Sequence, residues 1–130
     1  MLENSKAFSG IAVKDVAEAK RFFGEVLGLT VDDGEMGMLV VRPGSGHPIL
    51  LYPKPDHVPA SYTVLNFPVD DVAATVAALT ERGVEFEHYE GSEVQTDDDG
   101  VFRGGGPLIA WFTDPSGNVM SVIEGPGIDG

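Results

Sequence analysis

Val13-Lys14-Asp15-Val16-Ala17 (VKDVA) and Val69-Asp70-Asp71-Val72-Ala73 (VDDVA) are one phrase written twice in this chain. In each copy a short apolar run ends at a valine. An aspartate follows two residues later, and apolar residues then recur at helical spacing. A strand that ends where a capped amphipathic helix begins is the simplest reading of such a phrase. Because it occurs twice, the question becomes how far the duplication extends.

Working outward from the first copy, residues 7–13 (AFSGIAV) read as a strand. Asp15 is the N-cap, with Glu18 three residues on in a capping-box pattern. Val16, Ala19, Phe23, Val26 and Leu27 form one apolar stripe, and Gly28 stands where a left-handed C-cap is wanted. Short strands follow at residues 29–31, 36–42 and 49–52, separated by the turns at 32–34 and 43–46. Residues 53–61 (PKPDHVPAS) hold three prolines and read as a connector. The pattern then restarts: strand 62–69, N-cap Asp71, a helix marked by Val72, Val76 and Leu79, and its stop at Gly83. Strands at 84–86, 108–113 and 118–124 complete it, the last two joined by Asp114-Pro115-Ser116-Gly117. The second copy is longer, and residues 90–107 are read as one insertion. The chain is thus two diverged β-α-β-β-β units.

Composition narrows the function classes. The chain has 130 residues, of which 42% are hydrophobic, enough to pack a core. No apolar run approaches the roughly 20 residues of a membrane span. The stretch MLENSKAF has no basic start leading into an apolar segment, so a cytoplasmic location is expected. The absence of cysteine excludes a disulfide scaffold, thiolate metal sites and a cysteine nucleophile. A net charge of −13 argues against nucleic acid as a partner and would favour a cationic ligand.

The V-x-D phrases, the segment FFGEVLGL (residues 22–29) and AWFTDPSGNVMSVIE (residues 110–124) together resemble the vicinal oxygen chelate superfamily. That family includes glyoxalase I, bleomycin-resistance proteins and extradiol dioxygenases. The resemblance implies an α+β fold of tandem βαβββ modules forming a curved mixed sheet around a cleft. It implies a single domain over residues 1–130, with module 1 at about 7–53, a connector at 54–61 and module 2 at about 62–124. It also implies a homodimer. In the metal-using members each half supplies two ligands, one near the start of the first strand and one in the last strand. Carried onto this chain, those positions hold Phe8 and Leu50 in the first half, and Val64 and Ser121 in the second. Phe, Leu and Val have no donor atoms, and a lone serine is a poor ligand for the metals concerned. Metal and other cofactors are therefore not expected.

Strand alternation adds detail. If Ile11 and Val13 face the first helix, Phe8, Gly10 and Ala12 face away from it. Likewise Val64, Asn66 and Pro68 oppose the helix-facing Leu65, Phe67 and Val69. Leu50 shares a face with Tyr52, and Ser121 with Val119 and Ile123. An apolar concavity with a few polar groups suits a small organic ligand. The candidate ligand-binding residues are Phe8, Leu50, Tyr52, Val64, Asn66, Phe102, Arg103, Trp111 and Ser121. Phe102 and Arg103 enter as members of the insertion, read as a lid able to stack on a ligand or pair with an anion. Trp111 and its neighbour Phe112 compete for the inward position. No catalytic set is visible; Tyr52 is the best single acid–base group. His47, His57 and His88 read as loop histidines, and Asp97-Asp98-Asp99-Gly100 lacks the spacing of a calcium loop. Two functions remain open. One is a metal-independent binding protein for a cationic or aromatic metabolite or antibiotic, in a bleomycin-resistance-like manner. The other is a glyoxalase- or dioxygenase-type enzyme, a lyase or oxidoreductase, using a non-standard metal site.

Overall fold

Asp15 accepts the Glu18 amide hydrogen at 3.0 Å and so starts the helix α1, Val16–Arg21. Asp71 does the same for Ala74, also at 3.0 Å, at the head of α2, Val72–Glu81. The repeated aspartate is thus a repeated cap. The stops recur as well: Gly28 and Gly83 have φ of 76° and 95°, which a residue with a Cβ rarely adopts. Between α1 and Gly28 the chain runs through a π-helical turn, Phe22–Val26, which buries Phe23.

The computed structural model describes residues 1–90 and 95–127. Residues 91–94 of the expected insertion lie outside the described residues. The chain divides into two compact units, Met1–Val58 and Pro59–Gly130.

In the first unit, β1 (Ser9–Val13), β2 (Thr30–Asp33), β3 (Leu39–Arg42) and β4 (Ile49–Pro53) form one mixed sheet in the order β1-β4-β3-β2. β1 runs parallel to β4, and the other pairs are antiparallel. The third strand starts at Leu39 rather than at 36. Met36, at φ 56°, and Gly37, at φ 77°, turn the chain through a 3-10 turn first. Ile11, Val13, Leu39, Val41, Ile49 and Leu51 are buried together with Ala19 and Phe23 of the helical segment. Each of these Val, Leu, Ile and Phe side chains contributes roughly 1.5–3 kcal/mol by leaving water.

In the second unit, β5 (Thr63–Val69), β6 (Val101–Phe102), β7 (Ile109–Thr113) and β8 (Val119–Glu124) repeat the plan in the order β5-β8-β7-β6. Its core packs Phe112 against Phe67 and Phe86, with ring centroids 6.5 and 5.6 Å apart. Val72, Val76, Met120 and Val122 are buried as well. Glu124 ends β8 by accepting the Val72 amide hydrogen at 3.1 Å, so its carboxylate supports the start of α2.

One expected strand takes a different form. Residues 84–86 make only a single bridge, Phe86 to Phe112, and Glu87 then donates to the Trp111 carbonyl at 2.7 Å. Pairing with β7 breaks there and resumes at Val101, which pairs with Ala110, while Thr96 bridges Phe102 from the other side of β6. In antiparallel register Ala110 is the partner that residue 88 would have taken. The lane that β2 fills continuously in the first unit is therefore shared by two separate pieces in the second, with 88–100 as an excursion between them. The extra length of the second copy is divided: part lies in this excursion, part in the longer β6–β7 connection.

Candidate functional site

Each unit covers one face of its sheet with a helix and leaves the other open to function. In the first unit the helix-free face carries Gly10, Val40, Arg42, Leu50 and Tyr52, as the pairings Gly10–Leu50 and Val40–Leu50 require. Phe8 precedes β1 and is 62% exposed. With Val40, Arg42, Pro48 and Leu50 it lines a depression of about 230 Å³. Arg42 Nε donates to Asp32 Oδ2 at 2.7 Å at its rim. The Tyr52 ring lies over Gly10, with Cε1 3.6 Å from where a Cβ would stand. The structure thus brings together Phe8 and Leu50 and puts Tyr52 on the same face.

In the second unit the register settles the Trp111 question. Trp111 pairs with Ser121, and Phe112 with the fully buried Met120, so Phe112 belongs to the core and Trp111 to the helix-free face. Ser121 is opposite Asn66 across β5–β8, and its hydroxyl donates to the Asn66 amide oxygen. Val64 is the extra residue of a β-bulge, since Thr63 pairs with Val119 and Leu65 with Met120. Thr63 instead reaches this face: its hydroxyl accepts the Trp111 indole N–H at 3.1 Å. Sequence alternation cannot reveal a bulge, so Thr63 escapes a reading of the residues alone.

Aromatic rings gather on Trp111. Tyr89 meets it edge-on at a centroid distance of 5.6 Å, and Phe102 lies tilted at 6.2 Å. Tyr89 comes from the excursion and is a second residue the sequence reading missed. It is pinned there by Thr96, whose hydroxyl accepts the Tyr89 amide hydrogen at 2.8 Å. Burial, followed by the negative charge of Glu87, pushes the Tyr89 phenol above its ordinary range. Gly104 has to be small for Phe102 to lie where it does, since a Cβ would stand 2.6 Å from the Phe102 ring.

Arg103 points its chemistry elsewhere. Its Nε donates to Asp97 Oδ2 at 2.8 Å, and this bond holds the Asp97 carboxyl below the usual carboxylate range. Asp97 Oδ1 also accepts the amide hydrogens of Asp99 and Val101, both at 2.9 Å. The Asp97–Gly100 segment is a tight turn whose leading carboxylate is surrounded by donors, the opposite of what a cation would meet.

The residues at the four positions that the family resemblance assigns to metal ligands do not fit a metal. Phe8, Leu50 and Val64 offer no donor atom, and the Ser121 hydroxyl is engaged with Asn66. Of the histidines, His88 Nε2 bonds to the Asp98 carbonyl oxygen at 2.9 Å, and His47 and His57 sit in the turn after β3 and in the connector. No cluster of three His, Asp or Glu able to hold a metal ion occurs among the described residues. Nor is any described helix long and apolar enough to cross a membrane.

Known proteins match this architecture closely. TnmS3, an antibiotic binding protein from Streptomyces sp. CB03234, is 28% identical with a TM-score of 0.63, covering 91% of this chain and 94% of its own. A glyoxalase family protein from Enterococcus faecalis is 23% identical at a TM-score of 0.67, covering 95% and 100% of the two chains. A superfamily member from Sphaerobacter thermophilus is 23% identical at 0.63, covering 92% and 97%. No curated protein matches the sequence significantly. The family model described as Glyoxalase/Bleomycin resistance protein/Dioxygenase superfamily matches residues 7–122. By that match over nearly its whole length, the chain belongs to the glyoxalase, bleomycin-resistance protein and dioxygenase superfamily.

Proposed function

We propose that the protein is a metal-independent binder of a small organic molecule, an antibiotic or aromatic metabolite, whose two units work as one binding domain. The observation that carries this reading is the replacement of metal-ligand chemistry by apolar and aromatic chemistry on the helix-free faces. Phe8 and Leu50 line a depression where ligands would stand, and Trp111 with Tyr89 and Phe102 offers stacking surface. Flat rings with a few fixed polar groups, such as the Ser121–Asn66 pair, suit recognition of a planar organic ligand. The similarity to an antibiotic binding protein supports the same reading.

In this proposal the protein is a cytoplasmic homodimer, two points that sedimentation velocity and cell fractionation check. Metal independence is tested by elemental analysis of protein purified without chelators. Far less than one metal per chain is expected. Stoichiometric nickel, zinc, iron or manganese that disappears on His47→Ala or His57→Ala would show an enzyme-type metal site instead. Loss of ligand-induced quenching of Trp111, the single tryptophan, reports on the binding half of the proposal.

A further inference from the structure

Glu87 sits directly across from Trp111, its amide donating to the Trp111 carbonyl at 2.7 Å. The neighbouring bridge puts Phe86 against Phe112 in the core, so alternation sends the Glu87 side chain to the Trp111 face. Glu87, Tyr89, Phe102 and Trp111 are all half-buried there. A carboxylate brought partly out of water next to three rings normally acquires a cationic partner. Glu87 has none among the described residues. The guanidinium that follows Phe102 in the chain, Arg103, is bonded to Asp97.

The ring faces are themselves negative, and each attracts a cation within about 6 Å of its centroid. Carboxylate and rings therefore favour the same kind of guest, while an anionic ligand would be repelled by all four groups. The net charge of −13 acts in the same sense at long range. A strongly hydrated cation such as a bare primary ammonium loses more on leaving water than an alkylated one, which favours a substituted nitrogen.

We propose that Glu87, with Tyr89, Phe102 and Trp111, forms a recognition box for an alkylated ammonium group carried by an aromatic ligand. This rests on the ligand-binding reading above and names the ligand's chemical class. Glu87 is the residue that selects for charge, and the rings provide the surface that accepts an alkylated nitrogen in place of a hydrated one.

The test is a Trp111 fluorescence titration with benzyltrimethylammonium and with benzyl alcohol, which keeps the ring and drops the charge. The wild type should bind the cation about tenfold or more tightly than the alcohol, in line with a cation–π and charge contribution of this order. Glu87→Gln should remove most of that preference by weakening binding of the cation about tenfold. Tyr89→Leu, which keeps the carboxylate and removes one ring, should lower cation affinity several-fold, so the proposal does not depend on one variant folding. Equal affinity for the two probes in the wild type, or an undiminished preference in Glu87→Gln, would overturn it. Equal, saturable binding of both probes would leave the ligand-binding reading standing and remove only the ammonium box. Binding of neither probe, nor of any aromatic metabolite, would remove both.

Discussion

Asp114 directs both carboxylate oxygens into its own hairpin. Oδ1 accepts the amide hydrogens of Ser116 and Asn118 at 3.0 and 2.8 Å, and Oδ2 accepts the Asn118 side-chain amide at 2.9 Å. All three residues are buried, so these donors lose a charged acceptor if the carboxylate goes. Asp114→Ala should destabilise the protein by on the order of 3 kcal/mol, read as a lower urea midpoint with an unchanged slope. This turn is legible from the residues because its geometry is local: Pro115 sets one φ, and Gly117 supplies a φ of 87°. Trp111 and Thr63 are not legible in that way. Which of Trp111 and Phe112 faces inward depends on pairing with β8, and Thr63 reaches the face only because Val64 is bulged out. Tyr89 gives the residue scale a pH signature. Its phenol is raised in the folded state, so the neutral form is favoured there. The stability it contributes is whole below the unfolded tyrosine value of about 10 and is lost as pH rises through the higher folded value. Tyr89→Phe should flatten that alkaline loss in denaturation midpoints measured from about pH 8 to 11.

At the scale of elements, the two aspartate caps, the two glycine stops and the helical stripes were all readable because each is decided within a few residues. The divided lane in the second unit was not. β6 is two residues long, too short to carry a periodic signal, and its place is decided by pairing with Ala110 and Ile109 far along the chain. From the residues alone the insertion is one block at 90–107, whereas pairing with β7 breaks after Glu87 and resumes at Val101, with Thr96 bridging Phe102 in between. The register makes a specific claim: Glu87 and Val101 occupy consecutive positions against Trp111 and Ala110. Deleting residues 88–100 should therefore join the two pieces into one strand like β2, with far-UV circular dichroism and cooperative unfolding retained. Because Tyr89 leaves with the excursion, affinity for aromatic ligands should fall several-fold. A deletion variant that fails to fold would show that the excursion is part of the core, not a surface addition.

At the scale of the whole molecule, the duplicated plan produces two equivalent helix-free faces with different contents. The first is apolar with an Arg42–Asp32 pair at its edge, and the second is aromatic with a carboxylate. Asp97, held low by Arg103, contributes stability that is present above the unfolded aspartate value of about 4 and is lost as pH falls through its lower folded value. The sequence pI of about 4.3 lies above that window, so on acidification colloidal solubility declines before the Asp97 contribution is lost. The family architecture was legible in the order of motifs along the chain. That Phe8, Leu50, Val64 and Ser121 stand at the positions the family resemblance assigns to metal ligands was legible too, because residue identity alone decides whether an atom can donate. The aromatic gathering around Trp111 was not, since its members come from three separate segments.

The most direct measurement is a Trp111 fluorescence titration of chelator-treated protein against a panel of cationic glycopeptides and aromatic metabolites. Saturable, one-to-one quenching by at least one member is expected, with the same affinity whether or not divalent metal is added back. Absence of quenching by every member, or quenching that appears only when metal is restored, would contradict it.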